Sequence, residues 1–267
     1  MRKRFVWVTF ALLTFAVTIT SWKAENTNLT IATNTAIATN ASARSGAKQL
    51  FAGYVEQIYN AAQLNDAGLE FSVFQKAVTG YFNLKASNKV SPYSSVITII
   101  DLAKSSCTKR LWIVDLVNKE LLLKTFVAHG NGSGDDIAYH FSNESDSHAS
   151  SIGFYITDNV YHGKHGQSLK LDGMDAGYND NARARSIVLH GAKYVSEGTI
   201  NVLNRLGHSE GCPAVPQKVA PKVINTIKGK TVLFINGNDD SYTSKYLDED
   251  IAAAYVYPGN NQLNASL

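Results

Sequence analysis

Two stripes of apolar side chains with helical spacing lie between residues 47 and 86. The first stripe consists of Leu50, Phe51, Tyr54, Val55, Ile58 and Tyr59. After a polar break at residues 65–66, the second consists of Phe71, Phe74, Val78, Tyr81 and Phe82. Apolar residues that recur every three or four positions share one face of a helix. The pattern predicts two helices packed on a larger domain, with the aromatic rings in the core rather than in a ligand groove.

From residue 96 onward the pattern becomes that of β-strands. The strand candidates are VITIIDL, RLWIVDL, ELLLKTFVAHG, SIGFYIT, SLKLDG, SIVLHG and TVLFING, separated by polar, glycine-bearing loops. Residues 216–229 predict one further helix, with Pro221 near its start. The order of elements therefore predicts an α+β fold, in which a mainly antiparallel β domain is preceded by two packed helices.

The first 22 residues have the layout of a secretory signal. Arg2, Lys3 and Arg4 precede an uncharged, mostly apolar run over residues 5–19. The run is shorter than the roughly 20 residues that span a bilayer as a helix, and no Ala-x-Ala cleavage site follows it. We predict either a cleaved signal peptide or an N-terminal anchor that tethers the protein to a membrane through residues 5–22. Both alternatives predict an exported protein of the periplasm or cell envelope.

Composition divides the remainder of the chain. Residues 23–46 consist mostly of Ala, Asn, Thr and Ser and contain no aromatic residue, so they cannot bury enough apolar surface to offset the entropy of ordering. This segment is predicted to be a flexible low-complexity linker. A helical segment over residues 47–86, a β domain over residues 87–240 and a C-terminal tail over residues 241–267 follow it.

The net charge of +3 does not indicate a nucleic-acid partner. Three of the 25 basic residues lie in the first four positions, and residues 1–22 contain no acid, so the rest of the chain carries 22 basic and 22 acidic residues. A balanced chain lacks the positive surface that attracts phosphate backbones. Nucleic-acid binding is therefore excluded from the predicted functions.

The residues that carry chemistry concentrate in residues 189–216, LHGAKYVSEGTINVLNRLGHSEGCPAVP. His190 ends a predicted strand, and Ser209-Glu210-Gly211-Cys212 follows after 18 intervening residues. A free thiol is only a few per cent ionised at neutral pH, so a nucleophilic Cys212 needs a base such as His190. Gly211 permits a backbone turn in which peptide N–H groups face a developing oxyanion, and Ser209 is a candidate to orient the imidazole or the substrate. No metal or cofactor is required for such chemistry.

The same spacing also permits a structural interpretation. Cys107 is the only other cysteine of the chain. In an exported protein two cysteines commonly form a disulfide. The residues alone leave both alternatives open, a nucleophile at Cys212 or a Cys107–Cys212 bridge in a non-catalytic module that binds the cell wall.

His-Gly followed by Ser-x-Gly-Cys resembles the signature of the L,D-transpeptidases of bacterial cell walls, the YkuD-like family. The region over residues 96–237 more narrowly resembles the murein L,D-transpeptidase catalytic domain family. The matching pieces are KRLWIVDL, TFVAHGNGSG, HASSIGFYIT, YHGKHGQSLKLDG, GYNDNARARSIVLHGAKYVS and RLGHSEGCPAVP. The resemblance implies an L,D-transpeptidase that acts on peptidoglycan stem peptides, with Cys212 as nucleophile, His190 as base, and Ser209 and Gly211 lining the site. Hydrolysis of wall peptides by the same site is the enzymatic alternative.

The chain departs from the family pattern at two places. Glu210 stands where many members carry a second His, and residues 213–215 (Pro-Ala-Val) stand where they often place Asn or Arg. Both departures concern the groups that support the imidazole and the oxyanion. His208, one residue before Ser209, is a candidate to replace the missing His or else a solvent-exposed residue.

Four further residues are candidates for substrate binding. Arg205 and Arg183 suit the carboxylates of a stem peptide, because a guanidinium pairs with them bidentately. Tyr194 and His129 are candidates to line the cleft. For Arg183 the alternative is a structural ion pair, and for His129 a structural hydrogen bond. The spacing of His162 and His165 resembles a metal site, but no Cys, Asp or Glu cluster accompanies it, so no metal is predicted.

Overall fold

A computed structural model of the protein describes residues 45–258. The predicted signal or anchor over residues 1–22 lies outside the described residues, as do nearly all of the predicted linker and residues 259–267. Between residues 45 and 258, no helix is both long enough and apolar enough to cross a membrane.

Helices and strands within this range form an α+β fold, as predicted. The helices are α1 (residues 45–61), α2 (Phe71–Ala86), α3 (Glu197–Leu203), α4 (Ala220–Ile227) and α5 (Glu249–Val256). The strands are β1 (Val96–Asp101), β2 (Leu111–Asp115), β3 (Glu120–Thr125), β4 (Gly153–Gly163), β5 (Gly166–Gly173), β6 (Val188–Ala192), β7 (Ala214–Pro216) and β8 (Val232–Asn236).

The eight strands form one sheet in the order β3-β2-β1-β8-β4-β5-β6-β7. Five neighbouring pairs are antiparallel. Two pairs are parallel, β1 with β8 in the middle of the sheet and β6 with β7 at one edge. The prediction of a mainly antiparallel domain is thus confirmed, with the refinement that the sheet is mixed.

Successive side chains of a strand point to opposite faces of the sheet, so the sheet contributes to two cores. Helices cover both faces. On β2, Trp112 and Val114 face a core shared with α1, α2 and α5, whereas Leu111 and Ile113 face a second core shared with α4. The Trp112 Nε1–H donates to the carbonyl O of Ala67 at 2.9 Å, which ties the loop after α1 to the sheet. The predicted packing of two N-terminal helices on the larger domain is therefore observed.

Helix α5 lies in the C-terminal segment, where the sequence pattern predicted no element. It packs against α2 through Ala252 and Ala253, and Asp248 caps its N-terminus by accepting the N–H groups of Asp250 and Ile251. The Asn83 side chain on α2 donates to the carbonyl O of Asp248 at 2.8 Å. Because the buried face of α5 consists of alanines, its periodicity is too weak to see in the sequence.

The approach of α2 to the sheet depends on Gly80, and replacing this residue tests it. A Cβ on Gly80 would lie 2.0 Å from two ring atoms of Phe154. Gly80→Ala is therefore expected to lower the free energy of unfolding by roughly 1–3 kcal/mol, measured by urea denaturation.

Gly53 provides the matched control. It is an exposed glycine on α1, and a Cβ there would contact nothing within 4 Å. Gly53→Ala is expected to raise the free energy of unfolding by up to about 1 kcal/mol, because Ala favours a helix over Gly. Equal effects of the two substitutions would contradict close packing of α2 on the sheet.

Candidate active site

Parallel pairing of β6 and β7 brings His190 and Cys212 to one edge of the sheet. His190 is in register with Ala214, two residues after Cys212. The thiol lies against the segment that leads into β6, where the Val188 N–H donates to Sγ at 3.5 Å. The carbonyl O of Ser186 lies 3.8 Å from Sγ, within reach of the weak thiol donor.

Close contact between two glycines fixes the turn that carries Cys212. Gly211 has φ of +114°, and a Cβ there would lie 2.8 Å from the carbonyl O of Ala149. Opposite it, a Cβ on Gly130 would lie 2.7 Å from the Gly211 Cα. Only glycine at both positions allows this approach.

The Ser209 hydroxyl is engaged with the backbone of the same turn. It donates to the carbonyl O of Cys212 at 2.6 Å and accepts the Gly211 N–H at 3.2 Å. The Gly211 N–H therefore already has an acceptor. The backbone N–H of Cys212, in contrast, has no hydrogen-bond acceptor within residues 45–258.

The hydrogen bond of His190 defines its tautomer. Nδ1 lies 3.1 Å from the carbonyl O of Gly191, and a carbonyl can only accept, so Nδ1 carries the hydrogen and Nε2 keeps its lone pair. Burial lowers the pKa of His190, the bond to Gly191 opposes this, and the nearby charges of His165 and Lys164 lower it further. The imidazole is therefore neutral at neutral pH.

Gly191 is a packing position between β6 and α4. A Cβ on Gly191 would lie 2.8 Å from the Cβ of Ala220 at the start of α4. The glycine thus lets α4 approach β6 closely.

Cys212 is also uncharged in this environment. Burial raises the pKa of its thiol and is the largest effect. The Val188 N–H and the positive charges of Arg185 and Lys164 oppose it, whereas the Glu210 carboxylate adds to it. The thiol and the imidazole are therefore both uncharged at neutral pH.

An open cleft of about 580 Å³ holds both groups. Its lining consists of Tyr161, Gly163, Lys164, His165, Arg185, Ser186, Val188, His190, Tyr194, His208, Ser209, Glu210 and Cys212. Among the residues that the sequence indicated, the cleft unites Cys212, His190, Ser209 and Tyr194. Burial raises the pKa of Tyr194 to about 12, so its phenol remains protonated.

Three predicted substrate-binding residues lie outside the lining of this cleft. His129 is buried, with Nδ1 2.7 Å from Nη2 of the buried Arg110. Arg183 pairs with Asp158 and Asp172 at 2.7 Å and 2.6 Å.

Arg205 is the third of these residues. Its Nη1 donates to the carbonyl O of Leu206 at 2.8 Å, and its Nε is 3.8 Å from Asp135. Like His129 and Arg183, Arg205 therefore uses its side-chain nitrogen atoms in contacts within the protein.

Arg185, which is not among the four substrate-binding candidates above, does line the cleft. Its guanidinium donates to the carbonyl O atoms of Ser142 and Ala149 at 2.6 Å and 2.7 Å. It therefore holds the loop that packs on Gly211 and also places a positive charge beside the thiol. These contacts join Arg185 to a loop about 40 residues earlier in the chain, so no local sequence pattern could mark this arginine as a cleft residue.

Glu210 pairs with His148 at the rim of the cleft. The carboxylate thus has a partner in a position where the family pattern often has an imidazole. Both cysteines are free. Cys107 Sγ lies 3.3 Å from the carbonyl O of Asn204, so the alternative of a Cys107–Cys212 disulfide is not formed.

Among the described residues, no group of three His, Cys, Asp or Glu side chains has the arrangement of a metal site. His165, whose spacing from His162 resembled such a site, instead stacks on His190. The ring centroids are 4.2 Å apart and the ring planes differ by 23°.

Comparison with known proteins identifies the family. Residues 65–236 match the family model described as the L,D-transpeptidase catalytic domain. A comparison with curated proteins found no match.

Solved structures with similarity include an L,D-transpeptidase from Mycobacterium smegmatis, at 10% identity and a TM-score of 0.33, covering 54% of this chain and 59% of that one. The helical cell shape determining protein Pgp2 from Campylobacter jejuni has 12% identity and a TM-score of 0.37, with coverage of 68% and 63%. An L,D-transpeptidase from Stackebrandtia nassauensis has 12% identity and a TM-score of 0.34, with coverage of 62% and 67%. The chain spans less than two thirds of the first two of these proteins. Because the family model covers more than half of its length, the chain belongs to the L,D-transpeptidase catalytic domain family.

Proposed function

We propose that this protein is an exported, cysteine-dependent L,D-transpeptidase that acts on peptidoglycan stem peptides, with Cys212 as nucleophile and His190 as general base. The observation that carries the proposal is the tautomer of His190. Its Nδ1–H is bound to Gly191, so the Nε2 lone pair is left to accept a proton in the cleft that holds the Cys212 thiol. Family membership supports the class of reaction.

The first half-reaction forms a thioester. Nε2 of His190 takes the thiol proton while Sγ of Cys212 attacks the carbonyl carbon of the third stem residue, and the C=O electrons move to oxygen. When this oxyanion collapses, the C–N bond to the terminal D-alanine breaks. The imidazolium gives its proton to the departing nitrogen, so free D-alanine and a neutral base result.

The second half-reaction resolves the thioester. An amine of a second stem attacks the thioester carbonyl, His190 takes a proton from the nitrogen, and Sγ leaves and regains that proton. A new amide bond cross-links the two stems. Water in place of the amine gives a free carboxylate, which is the hydrolytic alternative at the same site.

Backbone and charge stabilise the oxyanion in this proposal. The Cys212 N–H, without an acceptor in residues 45–258, is the available donor. Ser209 keeps the turn in shape through its two hydrogen bonds and so aims that donor. An oxyanion donor of this kind typically contributes about 10²–10³-fold in kcat.

Substrate binding falls to residues that line the cleft. Tyr194 offers an apolar ring with a phenol donor, and Lys164 and Arg185 supply positive charge for stem carboxylates. The donors of Arg185 are largely occupied, so Arg185 contributes its field rather than a new bidentate pair. In this proposal residues 1–22 direct export and residues 23–46 give the catalytic domain reach from the envelope.

Acylation of Cys212 is the direct test. Incubation of the purified protein with a disaccharide-tetrapeptide is expected to release D-alanine and to leave an acyl adduct on Cys212, both measured by mass spectrometry. Cys212→Ala should abolish the adduct, and His190→Ala should slow its formation by about 10²–10⁴-fold. Cys107→Ala is the control and should react like the wild type. Absence of both adduct and product while the Cys212 thiol is free would refute the proposal for this substrate. A 3→3 cross-linked product or a tripeptide would show whether an amine or water resolves the thioester.

The pH dependence of acylation and of thiol alkylation follows from the uncharged states of His190 and Cys212. Because the pKa of His190 is lowered, the base stays deprotonated to a lower pH, so the acid limb of kcat/KM for acylation should have its midpoint below the ordinary His value of about 6.5. Because the pKa of the Cys212 thiol is raised, its alkylation by iodoacetamide without substrate should rise only above about pH 8.5. An alkylation plateau near neutral pH would indicate a thiolate–imidazolium pair and contradict this state.

A further inference from the structure

The His165–His190 stack joins two separate parts of the cleft. His165 lies in the tight turn between β4 and β5, and His190 lies on β6. The His165 side chain is exposed, yet its ring covers the face of an imidazole that is itself only 2% exposed. The function proposed above does not use His165.

The ring of the buried His190 has a single polar contact. Within residues 45–258 this partner is the carbonyl O of Gly191, which belongs to the next residue in the chain. One N–H···O bond fixes one ring atom and does not by itself set the tilt of the ring, which packing against its faces must set. A second contact against the face of the ring removes that freedom, because stacked rings hold a defined plane.

We infer that His165 is a positioning residue for His190, and this inference rests on the function proposed above. Its ring holds the plane of the base, so that Nε2 keeps one direction within the cleft that also holds the Cys212 thiol, and it keeps water from the outer face of the base. His165 does not accept the thiol proton or contact the reacting carbonyl. A misplaced base costs rate steeply, since proton transfer depends on aligned, close partners.

Charge on His165 gives this contact a second effect. The other titratable and charged groups that line the cleft with His190 come from three places. They are Tyr161, Lys164 and His165 on the β4–β5 hairpin, Arg185 and Tyr194 on the segments flanking β6, and His208, Glu210 and Cys212 on the turn that carries Cys212. On the opposite side β6 meets the apolar Ala220 of α4. Burial and the Lys164 charge lower the pKa of His165, so His165 is uncharged at neutral pH. Once the pH is low enough to protonate His165, its positive charge disfavours a second charge on His190.

Substitutions on the β4–β5 hairpin separate the ring from the charge. His165→Ala removes both and is expected to slow acylation of Cys212 on the order of 10-fold to 100-fold. His165→Phe keeps a flat ring and is expected to stay within roughly threefold of the wild type. Both should move the acid limb of kcat/KM to higher pH, and His165→Ala should move it further because it also exposes His190 to water.

His162→Ala is the matched control. His162 lies on the same hairpin and is exposed, but it does not line the cleft. The His162→Ala variant should retain the wild-type rate of Cys212 acylation and the wild-type acid limb of kcat/KM. Equal thermal unfolding midpoints would show that all variants are folded. Wild-type rate and acid limb in folded His165→Ala would overturn the inference. So would His165→Phe falling as far as His165→Ala.

A second readout separates this inference from the proposed function. The ring protons of His190 in the full chain can be followed by NMR as a function of pH, without any substrate. The stack predicts an upfield shift of these protons that persists in His165→Phe and is lost in His165→Ala. If the wild type forms no acyl adduct but these shifts are observed, the proposed reaction fails and the stack stands. If His190 has the same shifts and titration in all three proteins, the inference fails whatever the activity.

Discussion

The register between β6 and β7 is the constraint on which the candidate site depends. Parallel pairing of His190 with Ala214 fixes how far the nucleophile turn can slide along the base strand, because a slip by one residue would turn every side chain to the other face. The register is held from both sides. The Ala128 N–H donates to the carbonyl O of Ala214 at 2.8 Å, and α4 packs on Gly191 from the other face of the sheet. Strand pairing therefore sets the relative position of the backbones that carry His190 and Cys212.

The same backbone bears on the two departures from the family pattern. The carbonyl O of Gly191, on the same strand as His190, already selects the tautomer of that imidazole without a separate imidazole or carboxylate. Glu210 is consequently free to pair with His148 at the rim. Residues 213–215 carry no cation, and Arg185, from the segment before β6, brings a positive charge to the same cleft.

Much of the fold follows from sequence periodicity, and the exceptions have physical causes. The two N-terminal helices and most strands were predictable because their buried residues are large and regularly spaced. Helix α5 was not, since it buries alanines. The parallel pairs were not either, because strand direction depends on chain connections that a local pattern does not contain.

The same limit separates the predicted from the unpredicted parts of the site. His190, Ser209 and Cys212 stand in a short, recognisable stretch, and the cleft contains all three. Arg183 and Arg205 were plausible by residue type alone, but each has nearby acidic or carbonyl partners. His165 reaches the cleft from the β4–β5 turn and Arg185 from the segment just before β6, and a local sequence pattern shows neither contact. Residue type shows which side chains could take part in a reaction, and the tertiary structure shows which of them lie in the cleft.

The contact of Gly130 with Gly211 has a consequence for how the chain folds and for the state of its thiols during folding. It joins positions far apart in the chain, and such long-range contacts form late because closing a large loop costs entropy before any contact offsets it. Until it forms, Cys212 lacks the burial that suppresses its ionisation. Under the proposed export, an incompletely folded chain would present both thiols to an oxidising environment. Formation of the glycine contact accompanies the burial that raises the pKa of the Cys212 thiol, and a protonated thiol is a poor partner for disulfide formation with Cys107.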